Sequence, residues 1–174
     1  EAAELSEAFW TAGLVQKLET SAATSPFLNV FLAAQICKAD SALFTHMFKV
    51  SDLIRMQGEV HHIFPKKYLA KHGITDKSKY NQIANYTYLD SQVNKAISDD
   101  APCEYFTKAL ESAKRGEAEY GNISNEEELL NNMSQNCIPA NITEMDYSHY
   151  DEFLATRRRL MAQKIRDYYY SLGV

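Results

Sequence analysis

GEVHHIFPKKYL (residues 58–69), followed by IANYTYLD (residues 83–90) and then Asn94, is the stretch that decides how this chain reads. Val60, Ile63 and Phe64 are strand formers, and Pro65 ends the run because it brings no backbone N–H to a ladder. Lys66 to His72 fits a short helix closed by Gly73, since glycine accepts the left-handed cap conformation. From Ile83 to Asp90, the residues Ile83, Asn85, Thr87 and Leu89 alternate with Ala84, Tyr86, Tyr88 and Asp90, which predicts a second strand. Asp90 or Ser91 then caps a helix that carries Val93, Asn94 and Ile97. The local order is strand, long loop, strand, helix.

Outward from this segment the chain reads as helical. Leu5, Ala8, Ala12 and Val15 recur at helical spacing, with Ser6 or an earlier residue as cap, so the first twenty residues predict a helix. The stretch Thr20 to Pro26 breaks it. Phe27 to Ala39 is apolar throughout and reads as a buried helix, with a strand as the alternative that periodicity alone leaves open. Asp100 followed by Pro102 starts a helix running to about Arg115. Asn125 with Glu126, Glu127 and Glu128 opens another, the acids suiting the positive end of a helix. The last helix begins near Ser148 and carries Leu154, Met161, Ile165, Tyr168 and Leu172 on one face. The expected fold class is α+β: a mostly helical domain around a small two-stranded antiparallel sheet.

The 174 residues suit a single domain with a real core. No apolar run reaches the roughly 18 residues that a membrane span needs, and no signal-peptide pattern opens the chain, so we expect a cytoplasmic location and no membrane partner. The first residue is Glu rather than Met, from which we expect a piece of a longer protein. Cys37, Cys103 and Cys137 are sparse and form no CxxC pair, which argues against disulfides and zinc ribbons and for reduced, mostly buried thiols. The net charge of −5 counts against nucleic-acid binding. Its distribution answers part of that objection. Lys66, Lys67, Lys71, Lys77 and Lys79 cluster around one acid, Asp76, and screening keeps such a patch's field local. Arg157, Arg158, Arg159, Lys164 and Arg166 form a second basic run, readable either as a solvated helix face or as a DNA contact.

A His-His pair alone is ordinary, and core or surface roles account for most such pairs. Asn85 and Asn94 taken singly read as a turn residue and a helix-surface residue. His72 and His149 have no visible partners and stay unassigned. The many tyrosines, Tyr168 to Tyr170 among them, read as core or interface.

Taken together, His61, His62, Ile63, Pro65, Asn85 and Asn94, with nine residues from Asn85 to Asn94, resemble the HNH nucleases of the ββα-metal fold. The resemblance implies a ββα-metal core at about residues 58–100, inside helical flanks at 1–50 and 101–174. It implies His62 as the general base, with an ordinary pKa of about 6.5 that lets it take a proton from water near neutrality. It implies that Asn85 orients that imidazole or its loop. His61 and Asn94 would hold one divalent cation against the scissile phosphate and the leaving 3′-oxygen. Two neutral donors leave positions for water, which suits Mg²⁺, and the imidazole makes Mn²⁺, Ni²⁺ or Zn²⁺ further occupants. Lys66 and Lys67 would contact backbone phosphates, or else are solvated surface lysines. His61 departs from the family's commoner Asp, which bears on metal preference more than on activity.

HHIFPKKYL, NYTYLD, NKAISD and FLATRRRLMAQKIRDYYYSL further resemble the C-terminal nuclease module of GmrSD-type restriction proteins, over most of residues 26–172. That likeness implies a DNA endonuclease of a prokaryotic restriction or antiviral defence system, acting on double-stranded DNA. It implies an N-terminal ParB-like, nucleotide-hydrolysing region in the same protein. Cutting both strands with one metal site would call for a homodimer or sequential nicks. Two rival readings are an HNH-type toxin nuclease acting on DNA or RNA, and a non-catalytic nucleic-acid-binding module.

Overall fold

Ser25, Asp90 and Asn125 each accept a hydrogen bond from a backbone N–H of the turn that follows, and each starts a helix. The computed structural model describes residues 5–173, so the first four residues of the expected N-terminal helix, and residue 174, lie outside the described residues. A π-helical turn at Phe9–Gly13 runs into α1 (Leu14–Lys17), and the Ser6 hydroxyl accepts from the Phe9 N–H at 3.2 Å. Next come α2 (Pro26–Cys37), α3 (Val50–Arg55), β1 (Val60–His62), α4 (Lys66–Lys71) and α5 (Lys77–Tyr80). A 3₁₀ turn at Ile83–Asn85 leads into β2 (Tyr86–Tyr88) and α6 (Ser91–Ile97). The chain closes with α7 (Pro102–Lys114), α8 (Glu126–Gln135), short 3₁₀ turns at Ile142–Glu144 and Tyr147–His149, and α9 (Tyr150–Ser171).

The protein is mostly helical, with one antiparallel pair that matches Val60 to Tyr88, His61 to Thr87 and His62 to Tyr86. The sequence overstates the second strand. Ile83 to Asn85 turns as 3₁₀ helix, and pairing covers only Tyr86 to Tyr88. The apolar segment after Pro26 is a helix, and Gly73 takes φ +85° beyond α4 as its cap position requires. The helices α3 and α5 were not anticipated. Gly58 lets the chain turn from α3 into β1, because a Cβ there would sit 2.9 Å from the Leu53 carbonyl oxygen.

The long helix α9 packs against α1, α2 and the Ile83–Asn85 turn. Leu154, Met161 and Ile165 are buried, while Tyr168 is half-buried and Leu172 is exposed. Phe153 lies 4.7 Å from the Phe64 ring, centroid to centroid. Arg157 departs most from expectation. It belongs neither to a solvated face nor to a DNA contact, because its side chain is fully buried. Its Nη1 donates to the carbonyls of Ala84 at 2.8 Å and Tyr86 at 2.6 Å, and its Nη2 to Asn136 at 3.2 Å. Burial without a carboxylate pulls its pKa down to about 10, which still leaves it charged at neutral pH. Arg158 is half-buried on the Gln82 side chain, and Arg159 is exposed. Lys164 pairs with buried Asp40, so it too is a structural cation. Cys137 is buried, Cys103 half-buried and Cys37 exposed, all as free thiols. Among the described residues no helix is long and apolar enough to cross a membrane.

Replacing Arg157 with Ala strands three buried carbonyls and opens a cavity, for an expected loss of about 3–5 kcal/mol. Urea unfolding measures it. Arg157→Lys should recover little, since one ammonium cannot span three separate carbonyls as the guanidinium fork does.

Candidate functional site

The two histidines stand at the end of β1, where the chain leaves the sheet. Both residues that follow His62 are held at their backbone N–H and carbonyl groups. The Ile63 N–H donates to the Asn85 carbonyl at 2.9 Å, and the Ile63 carbonyl accepts from the Tyr105 hydroxyl at 2.7 Å. The Phe64 N–H donates to Asn85 Oδ1 at 2.8 Å, and the Phe64 carbonyl accepts from Asn85 Nδ2 at 3.1 Å. That amide also donates to the Tyr80 carbonyl at 3.2 Å. Asn85 is fully buried, so these bonds form away from water, where an unpaired group would cost most. The placement explains the 3₁₀ turn: the amide reaches Phe64 only when the chain folds under the strand rather than continuing it. Of the two roles expected for Asn85, the structure shows the bond to the loop and none to the imidazole.

His62 finds a different partner. Its Nε2 lies 2.9 Å from the side-chain oxygen of Asn81, at the end of α5. Its ring meets Tyr86 edge-to-face at 5.3 Å and stands 6.2 Å from Tyr80. Burial lowers its pKa, opposed by the Asn81 hydrogen bond and assisted by the charge of Lys66. Burial also lowers the pKa of His61, against the opposing charges of Glu59 and Asp90. Asp90 caps α6 through the Gln92 N–H at 2.9 Å and thereby sets the helix that carries Asn94.

One open groove of about 490 Å³ is lined by His61, His62, Lys66, Lys67 and Asn94, together with Pro65, Lys95 and Ser98. Every metal-binding and substrate-binding residue expected from the sequence is on that wall. Asn85 is not, since it acts from beneath. Lys66 lies over the Tyr80 ring at 5.2 Å, and Lys67 and Lys95 are exposed. Among the described residues no carboxylate belongs to the lining, so the groove presents the three ammonium groups of Lys66, Lys67 and Lys95. Lys95 was missed although it adjoins Asn94. Asn81 was missed because nothing in a sequence marks a contact made across 19 positions. Ser98 closes α6 at φ +55°, a left-handed conformation that a non-glycine residue adopts at a cost, and it lines the same wall. His72 stacks on Tyr147 at 3.9 Å and His149 bonds Asp146, which gives both histidines local structural work.

No group of three or more His, Cys, Asp or Glu side chains placed to hold a metal occurs among the described residues. A cation in the groove would therefore have His61 and Asn94 as its expected protein donors. Both are half-buried, and neither ring nor amide makes a hydrogen bond among the described residues. Donors left unpaired in this way fit a hydrated divalent ion that takes its other positions from water and phosphate.

No family model matches this chain, and no solved structure matches it. It is 28% identical over 132 residues to an uncharacterized protein of Methanocaldococcus jannaschii, an alignment that covers 68% of this chain and 22% of that protein. The chain thus spans under a quarter of the length of the curated relative it matches.

The lowered imidazole pKa values give a pH dependence of stability with a definite sign. The unfolded chain binds protons at histidine near pH 6.5, before the folded chain does, so stability should fall as pH drops below about 6.5 through the folded values. Urea midpoints between pH 8 and pH 5 check this, and His61→Asn with His62→Asn should flatten the slope.

Proposed function

We propose that this chain is a metal-dependent endonuclease of the HNH type that hydrolyses the phosphodiester bonds of DNA, double-stranded DNA being the expected substrate. The observation that carries the reading is the single groove on which His61, His62, Lys66, Lys67 and Asn94 meet, walled by lysines and free of carboxylates. On this reading β1, β2 and α6 form the ββα core of that family. His61 and Asn94 would hold one divalent cation, Mg²⁺ or alternatively Mn²⁺, Ni²⁺ or Zn²⁺, which would supply charge stabilisation to the reacting phosphodiester.

The remaining chemistry belongs to the chain's own groups. His62, kept neutral by burial, takes a proton from a water molecule as the water oxygen bonds to phosphorus. The bond to the leaving oxygen breaks in the same displacement. That oxygen gains a proton from solvent, and the imidazolium returns its own proton to solvent. Asn85 holds the loop after His62, so the ring need not reorganise during reaction. Lys66, Lys67 and Lys95 offer charge to backbone phosphates, which brings affinity without sequence information. Specificity and any nucleotide control are assigned to a further region of the same protein, ParB-like in the GmrSD-type reading. The greater length of the archaeal relative accommodates such a region.

Plasmid nicking with added Mg²⁺ or Mn²⁺, and with EDTA as control, tests the proposal. Wild-type protein should nick with little sequence preference, and binding should weaken steeply with salt. Activity should rise with pH through a value below about 6.5 and then level, because the neutral imidazole is the working form. His62→Ala should lose about 10²–10⁴-fold while keeping its metal affinity. His61→Ala and Asn94→Ala should lose metal and activity together, with excess metal restoring part of the rate. Metal-independent nicking, or wild-type rates in all three variants, would end the HNH reading.

A further inference from the structure

Among the described residues Asn81 makes one side-chain hydrogen bond, and that bond is to His62. Its backbone is fixed by other means. The Asn81 N–H donates to the Lys77 carbonyl at 3.0 Å, and the Asn81 carbonyl accepts from the Tyr86 hydroxyl at 3.0 Å. Tyr86 is the strand partner of His62 and touches its ring edge-to-face. The three residues therefore close a ring: strand pairing from His62 to Tyr86, hydroxyl to the Asn81 main chain, and the Asn81 side chain back to the imidazole. The last link is free of any folding task. It leaves α5 at its C-terminal end and spans to a strand whose register is already set by β2.

We propose that Asn81 is a positioning residue for His62, accepting the Nε2–H on its side-chain oxygen so that Nδ1 keeps its lone pair as the proton-accepting nitrogen. This rests on the nuclease reading, and it adds the choice of nitrogen and the residue that makes it. An imidazole with one N–H has one acceptor, and an acceptor oxygen at 2.9 Å from Nε2 places the proton there. Were the amide reversed, its N–H would face Nε2, the proton would move to Nδ1, and the accepting nitrogen would be the one already occupied by Asn81. Tyr80 and Tyr86 beside the ring leave few other groups to set this choice.

Three substitutions test it: Asn81→Ala, Asn81→Leu and Asn81→Asp, compared with wild type and His62→Ala in single-turnover plasmid nicking on the upper plateau of the pH profile. Removing the acceptor in Ala and Leu should lower kcat by about 10–100-fold, the usual size for a group that orients a site from behind. KM, metal affinity and melting temperature should stay at wild-type values, since the side chain holds nothing else. Aspartate can only accept, so Asn81→Asp should recover most of the lost rate. A wild-type kcat in Asn81→Ala, or a change confined to KM, overturns the assignment. Asn81→Asp as slow as Asn81→Ala overturns the acceptor role, because the amide N–H would then be the active group. If wild-type protein fails to nick, or His62→Ala nicks as well as wild type, the nuclease reading itself has failed and Asn81 falls with it. If His62→Ala is slow and Asn81→Ala is fast, only the Asn81 assignment is lost.

Discussion

A single guanidinium decides the geometry of this domain. Arg157 comes from α9 and grips the carbonyls of Ala84 and Tyr86, on either side of Asn85. Between those two anchors Asn85 has one course, and its amide turns inward to hold Phe64 from below. The chain thus runs from a helix of the core, through a buried cation, to a buried amide, and from there to the loop beside His62. Each link is a charged or polar group taken out of water and hydrogen-bonded to main-chain atoms, although Arg157 Nε has no partner among the described residues, and such bonds make the arrangement costly to distort. Apolar packing such as Phe64 on Phe153 fills the space around it, but dispersion has no direction and could not have placed these carbonyls.

The helices were legible in the sequence because their ends are written in local chemistry. Asp90 and Asn125 cap the helices they were expected to open, and Pro102 sits at the first position of α7. The segment Ile83–Asn85 was misread because alternating polarity fits period two whether or not the backbone is extended. What bends it is the bonding of the Asn85 side chain to the main chain of Phe64, 21 positions away. Arg157 was misread for a related reason: a charge predicts exposure until its partners are known, and these partners are main-chain carbonyls, which every residue possesses. Short α3 and α5 carry too few turns to show a period.

Most of the candidate site was legible, and the gathering of His61, His62, Lys66, Lys67 and Asn94 on one wall follows from the strand, turn and helix order around them. What the sequence could not show is which asparagine amides on and around the wall are occupied. Asn85 is spent on the loop and Asn81 on the ring, whereas Asn94 is spent on nothing among the described residues. Three asparagines with the same side chain stand in three situations, distinguished by what lies within 3 Å or so of each amide. The net charge of −5 likewise said little about a wall whose charged members are all lysines.

The distance along the chain between Arg157 and the carbonyls it holds, 73 and 71 positions, has a consequence for how the protein is made. A ribosome delivers β1, β2 and α6 long before α9. Until α9 emerges, the carbonyls of Ala84 and Tyr86 have no guanidinium, and the turn that puts Asn85 beneath Phe64 rests on the hydrogen bonds of Asn85. The lysine-lined wall therefore gains its anchor in α9 only at the end of synthesis. A nascent chain would carry all the residues of the site while lacking the helix that sets them in place.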